Sequence, residues 1–165
     1  MHLDDIRDGE AVLIDANILV YHRVNTPRLT DAVIRFLERV EQKRVAGYTT
    51  TALVAEAVHK IMLVEASQAQ GLPASGIVAR LKKQPELVKA VAHKEITSEI
   101  VRMGIAIEVV TPELLTCAEA LFARYGLLTN DSITLAAMAR LGLTHIATND
   151  DDFDTVPGLT VWKPR

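Results

Sequence analysis

Cysteine is nearly missing: Cys117 is the only one in 165 residues, which excludes an internal disulfide and a cysteine-built metal cluster. Its neighbours Leu114, Leu115, Ala118 and Leu121 recur at helical spacing, so it reads as a small core residue in a reducing compartment. No apolar run approaches the roughly 20 residues of a membrane span. The opening MHLDDIRDGE is acidic where an export signal is basic, so a soluble cytoplasmic protein is expected. Positive charge is also short, with 18 Lys and Arg against 21 Asp and Glu and a net charge of −3. That balance argues against a surface built for indiscriminate nucleic-acid binding but leaves room for a local basic face. No Gly-x-Gly-x-x-Gly follows the first apolar run, which weighs against a dinucleotide site. Internal repeats, low-complexity tracts and linkers are absent too. Residues 1–165 are therefore expected to form one domain, with a substantial core drawn from the 49% of residues that are hydrophobic.

What is present is organised around AVLIDANILV, residues 11–20. Val-Leu-Ile without polar alternation predicts a strand buried on both faces of a parallel sheet, with Asp15 at its carboxyl end. In open α/β sheets that edge is where ligands bind. Asp15 has an ordinary use as well, as the N-cap of the helix that follows. That helix runs to Arg23, and a second, from Leu29 to Arg44, carries Val33, Phe36, Leu37 and Val40 at helical spacing. Gly47 to Thr50 predicts the next strand, and Thr50 or Thr51 can cap a long helix with the stripe Leu53, Val54, Ala57, Val58, Ile61 and Met62. Glu56 falls off that stripe, where a solvated face is the common explanation. His59 reads as helix surface, and Met62, Met103 and Met138 as core filler.

A helical segment at about 71–104, opened by Gly71, Pro73, Ser75 and Gly76, is the most basic stretch. Its Arg80, Lys82, Lys83, Lys89, Lys94 and Arg102 outnumber Glu86, Glu95 and Glu99. Strand 105–110 then ends at Thr111-Pro112, a capping residue followed by proline at the first helical position. The helix from Glu113 stops at Gly126. Another starts at Thr129-Asn130 and puts Asp131 in its first turn, a position that also suits the helix dipole. His145 to Thr148 predicts a fourth strand, followed directly by NDDDFD, and Leu159 to Trp162 a fifth. Strands separated by helices are the signature of an α/β fold with a mostly parallel five-stranded sheet between helical layers, because parallel neighbours need crossover connections.

Asp15 and Asp150 follow strand ends, while Glu56 and Asp131 lie near helix starts that face the same sheet edge. Singly each acid is ordinary; converging, they repel unless protons are retained or a cation neutralises them. Oxygen ligands without His or Cys select a hard ion such as Mg²⁺ or Mn²⁺, and Mg²⁺ held by few carboxylates favours phosphate oxygens for its remaining positions.

The order LIDAN, TALVAE, TNDSITLAA, ATNDDDF and a closing VPGLTVWKP resembles the PIN-domain nucleases end to end, most specifically in the last third. The resemblance implies a three-layer α/β/α sandwich and a Mg²⁺- or Mn²⁺-dependent nuclease acting on RNA. Asp15, Glu56, Asp131 and Asp150 fall on that family's acidic quartet, Asp152 on a frequent fifth acid, and Asn17 and Thr148 on supporting polar positions. The metal is then expected on Asp15, Asp131 and Asp150. Substrate is expected against Asn17, Thr148, Arg80, Lys82 and Lys83, since an acidic site must draw attraction for a polyanion from nearby basic side chains. Many relatives are VapC toxins that pair with a small antitoxin and form homodimers, which makes both partners expectations here.

Two other classes compete. A haloacid-dehalogenase phosphatase would carry a second Asp two residues after the first, where Asn17 stands. A non-catalytic RNA- or protein-binding module of the same fold would have no need of all four acids.

Overall fold

The computed structural model describes residues 1–71, 76–91 and 95–165. Five strands, β1 (Ala11–Ile14), β2 (Ala46–Thr50), β3 (Ala106–Glu108), β4 (His145–Ala147) and β5 (Thr160–Trp162), form one sheet in the order β3-β2-β1-β4-β5. Every pairing is parallel. In β1, Val12, Leu13 and Ile14 are completely buried, as an apolar run without alternation requires.

Eight α-helices stand among the described residues: α1 (Ala16–Arg23), α2 (Thr30–Glu41), α3 (Thr51–Gln70), α4 (Ile77–Lys83), α5 (Pro85–Ala90), α6 (Ile96–Arg102), α7 (Pro112–Tyr125) and α8 (Thr129–Leu141). The chain steps from β1 to β2 to β3 in one direction, then returns past β1 to β4. Parallel connections are almost always right-handed, so this reversal lays α1 to α6 over one face and α7 with α8 over the other, giving an α/β/α sandwich. It also opens a crevice at the carboxyl ends of β1 and β4, where the strand order switches direction.

Local chemistry explains the elements. The Thr50 hydroxyl accepts from Leu53 N at 3.1 Å and caps α3, and Thr111 with Pro112 opens α7. In α2 the buried set is Val33, Phe36, Leu37 and Val40, the stripe read from spacing. Gly47 is required by close approach: a Cβ there would lie 2.7 Å from Val40 Cγ1 and 2.9 Å from Ile14 Cδ1. Residues 132–138 of α8 are all buried, and two polar side chains within it bond to backbone carbonyls, Ser132 to Leu127 O and Thr134 to Asn130 O.

Three expectations need revision. Cys117 is exposed, not core: α7 buries only Leu114 and Ala118, because the cluster it packs into, chiefly Ile133, Ala136 and Ala137 of α8, covers a narrow stripe. Leu115 is exposed for the same reason. Of the three methionines, only Met138 is fully buried, whereas Met62 and Met103 lie partly exposed against apolar clusters. The basic segment is broken into α4, α5 and α6; α4 and α5 fold onto the far half of α3 through Ile77, Leu81 and Val91 against Ala66. Pro73, Ser75 and Lys94 lie outside the described residues. His59 is exposed, as expected. No helix among the described residues is long and apolar enough to cross a membrane.

Candidate active site

Asp15 leaves the buried end of β1 and is only 9% exposed. Its Oδ1 accepts from Ala16 N at 2.6 Å, so it does cap α1. Its Oδ2 accepts from Asn17 Nδ2 and from the Thr148 hydroxyl, each at 2.5 Å. The capping role and the site role therefore coexist, using different oxygens of one carboxylate. Burial pushes the Asp15 carboxyl above its ordinary pKa, against the lowering effect of the Thr148 and Ala16 hydrogen bonds.

Thr148, fully buried just past β4, is the joint of the site. Its oxygen also accepts from Asp150 N at 3.0 Å and Asn17 Nδ2 at 2.9 Å. Asn17 Oδ1 in turn accepts from Asn149 N at 3.2 Å. The two strand exits are thus sewn together by side chains, and the Asp150 backbone is fixed relative to Asp15.

The turn after β4 separates its acids. Asp151 points to Lys163 Nζ at 2.8 Å and Arg165 Nη2 at 3.1 Å, and Phe153 turns back into the core at 1% exposure. Asp150 lines the cleft, and its Oδ1 accepts from Asp152 N at 3.0 Å, which leaves Asp152 exposed beside it. The same Lys163 donates to Asp150 O at 2.6 Å, so the closing strand pins the turn.

Across the cleft, Glu56 on α3 accepts from Asn130 Nδ2 at 2.7 Å with one oxygen and pairs with Lys60 Nζ at 2.5 Å with the other. The first bond ties α3 to the start of α8. Asp131, in that first turn, has its pKa raised to about 6 by burial and by the charges of Asp150, Asp15, Asp152 and Glu56. A helix N-terminus favours the ionised form; here desolvation and like charge overcome it. Burial works against the charge on Lys60, but its hydrogen bond to Glu56 and the charges of Glu56 and Asp15 hold it above the ordinary lysine value.

Asp15, Asn17, Glu56, Lys60, Asn130, Asp131 and Asp150 line one cleft of about 500 Å³. It shares Asn17 and Asp150 with a neighbouring depression of about 430 Å³ that adds Tyr21, Asn149, Asp151 and Asp152. The structure thus brings all five sequence-identified acids, with Asn17 and Thr148, to one place. It does not bring Arg80, Lys82 or Lys83 there: all three are exposed on α4, where Arg80 and Lys83 line a separate depression. Lys60, Asn130, Tyr21 and Lys163 were not found by sequence reasoning. Only Lys60 had a usable signal, its i,i+4 spacing from Glu56 on a helix.

Among the described residues no three His, Cys, Asp or Glu side chains are grouped to hold a metal ion. A Mg²⁺ ion does not need such a cage, since it is commonly held by one or two carboxylates plus water and substrate phosphate. The donor set fits a hard cation: its oxygens come from Asp15, Asp131 and Asp150, and of the two causes that lift Asp131, burial and the repulsion of its neighbours, a bound cation relieves the second.

The model of the PIN domain family matches residues 12–159. No curated protein sequence matches significantly. Among solved structures, the chain is similar to one from a toxin-antitoxin complex of Klebsiella pneumoniae, with a TM-score of 0.57 and 19% identity over 93% of this chain and 98% of that one. It is similar to one from VapBC2 of Rickettsia felis bound to a DNA fragment from its promoter (TM-score 0.55, 15% identity, 93% of this chain, 98% of that one). VapC20 of Mycobacterium tuberculosis, described as a Sarcin-Ricin loop cleaving toxin, gives a TM-score of 0.54 at 14% identity over 87% of this chain and 92% of that one. At these identities the likeness is one of fold.

Proposed function

The chain belongs to the PIN-domain family, and from that membership we propose that it is a Mg²⁺- or Mn²⁺-dependent endoribonuclease that hydrolyses phosphodiester bonds in single-stranded RNA. The observation that carries this reading is the meeting of Asp15, Asp131 and Asp150 in one cleft at the sheet's switch point, where burial together with the charges of the neighbouring carboxylates lifts Asp131 to about 6. Such a site binds a polyanion only after a cation has reversed its sign.

In this reading Asp15, Asp131 and Asp150 would hold the ion, directly or through its waters. When bound, the ion supplies an acidified water and stabilises charge on the phosphoryl oxygens. The chain's own groups do the rest. Thr148 and Asn17 orient Asp15 through the two bonds at 2.5 Å. Glu56, held by Asn130, presents a carboxylate to take a proton from the attacking water. Asp152 stands at the rim, beside Asp150. Arg80, Lys82 and Lys83 hold RNA flanking the cleavage point, outside the cleft. Single strands are favoured because their backbone bends into a cleft and their bases splay out.

The three structural relatives are toxin-antitoxin or toxin structures, which supports a toxin role in the cytoplasm with a small antitoxin partner. A homodimer belongs to the same reading. Exposed Leu115 and Phe122, which line the apolar groove between α7 and α8, support it. The test is cleavage of one sequence offered as single-stranded RNA, duplex RNA and single-stranded DNA. Cutting confined to the first supports the reading, and equal cutting of all three contradicts it.

A further inference from the structure

Lys60 is the only cationic side chain among the described residues that line the cleft of about 500 Å³. Lys163 and Arg165 do not line it and are committed to the turn after β4, at Asn149, Asp151, Asp154 and the carbonyl of Asp150. Among the described residues Lys60 pairs with Glu56, and its side chain is 49% exposed. A half-exposed i,i+4 pair of this kind adds little to stability. Its position is less ordinary than its spacing: Lys60 lines the same cleft as Asp15, whose charge acts on the ammonium. On the other side of Glu56, Asn130 holds the remaining oxygen at 2.7 Å, so that carboxylate stays placed if Lys60 departs.

We propose that Lys60 is a substrate-binding residue that exchanges Glu56 for a backbone phosphate of the incoming RNA. Lysine suits an exchange of this kind, being a compact point charge on a four-carbon stem that binds phosphate without fixed directionality. The exchange has a second consequence. It frees the Glu56 oxygen that Lys60 holds only when a phosphate has arrived, so that oxygen is masked in the empty protein and available in the loaded one. This inference rests on the ribonuclease reading above and adds the residue that grips the polyanion inside the cleft. It differs from the α4 cations, which stand elsewhere.

The test is binding of a fluorescent single-stranded RNA to the full chain in Ca²⁺, followed by anisotropy across a salt series. Lys60→Met is expected to weaken binding about tenfold and to make the dependence of log K on log salt shallower by about 0.7, the share of one single-strand phosphate contact. Lys60→Arg should keep the wild-type slope. Glu56→Gln releases Lys60 from its pair and is expected to bind RNA more tightly than wild type. The double variant Lys60→Met/Glu56→Gln separates the exchange from simple removal of a repelling charge: tightening by Glu56→Gln that is larger with Lys60 present than in the Lys60→Met background supports the exchange, and equal tightening in both backgrounds overturns it. Wild-type binding with an unchanged slope in Lys60→Met overturns the Lys60 assignment alone. Absence of wild-type binding overturns the ribonuclease reading and the assignment with it. Melting curves accompany each variant. If Lys60→Met proves unfolded, Lys60→Gln takes its place in the same comparison.

Discussion

Thr148 and Asp15, 133 residues apart, share a buried hydrogen bond of 2.5 Å that joins the exits of β4 and β1. The same hydroxyl oxygen accepts from Asp150 N. One side chain thereby sets the spacing of two of the acids that would hold the ion.

Thr148→Val tests that joint. The substitution keeps the shape and leaves Asp150 N without its acceptor and Asp15 Oδ2 with a lost donor. A cost of about 1–3 kcal/mol is expected for the unmet buried groups. Cleavage should fall more than stability at temperatures where the variant is folded, since the acids lose their register. Denaturant unfolding and cleavage rates check the two halves separately. Wild-type activity in the variant would show that Thr148 only fills space.

The turn Asn149 to Asp154 gives a graded prediction. Asp150→Asn is expected to abolish nearly all turnover, Asp152→Asn to reduce it in part, and Asp151→Asn to do little, because Asp151 is held outward by Lys163 and Arg165. Asp150→Asn should also melt higher in metal-free buffer, since it removes one of the charges that repel Asp131. Equal activity losses at positions 150 and 151 would contradict the geometry of this turn.

Asp131 makes the metal-free protein pH-sensitive. Its folded pKa of about 6 lies above the ordinary 3.8, so the folded state binds this proton more tightly than the unfolded state. Below the ordinary value both states are protonated and the group costs nothing. As pH rises through the window from 3.8 to about 6 the penalty grows, and above that it is complete. Asp4, Asp8 and Asp151 act in the opposite sense, because their partners hold them below the ordinary value and their contribution is lost only in more acidic solution. The melting temperature of the metal-free protein should therefore fall across that window. Asp131→Asn should flatten the fall, and added Mg²⁺ should suppress it. A wild-type profile that rises steadily through the window would contradict this account.

Much of this arrangement was legible in the sequence, for a physical reason. A strand buried on both faces has no alternation, so the acid that ends Val12-Leu13-Ile14 stands out, and Asp150 stands out in the same way after Ile146 and Ala147. Capping chemistry is equally local, which is why Thr111-Pro112 marked the start of α7 correctly. What escaped depends on tertiary distance. Asn130 meets Glu56 across 74 residues, and Lys163 reaches back to Asp150 from the last strand; spacing carries no trace of either. Cys117 was misplaced because periodicity reports which residues share a helix face but not how wide a stripe the neighbour covers. Arg80, Lys82 and Lys83 were legible as a basic run, yet where α4 docks on α3 is decided by Ile77 and Leu81 packing near Ala66, far along the helix from Glu56.

The central claim, that these acids form a cation-dependent RNA-cleaving site, is tested most directly by stripping the purified protein with EDTA and assaying single-stranded RNA before and after Mg²⁺ or Mn²⁺ is restored. The account predicts no cleavage in EDTA, recovery with either ion, and no recovery in Asp150→Asn. Undiminished cleavage in EDTA would contradict it.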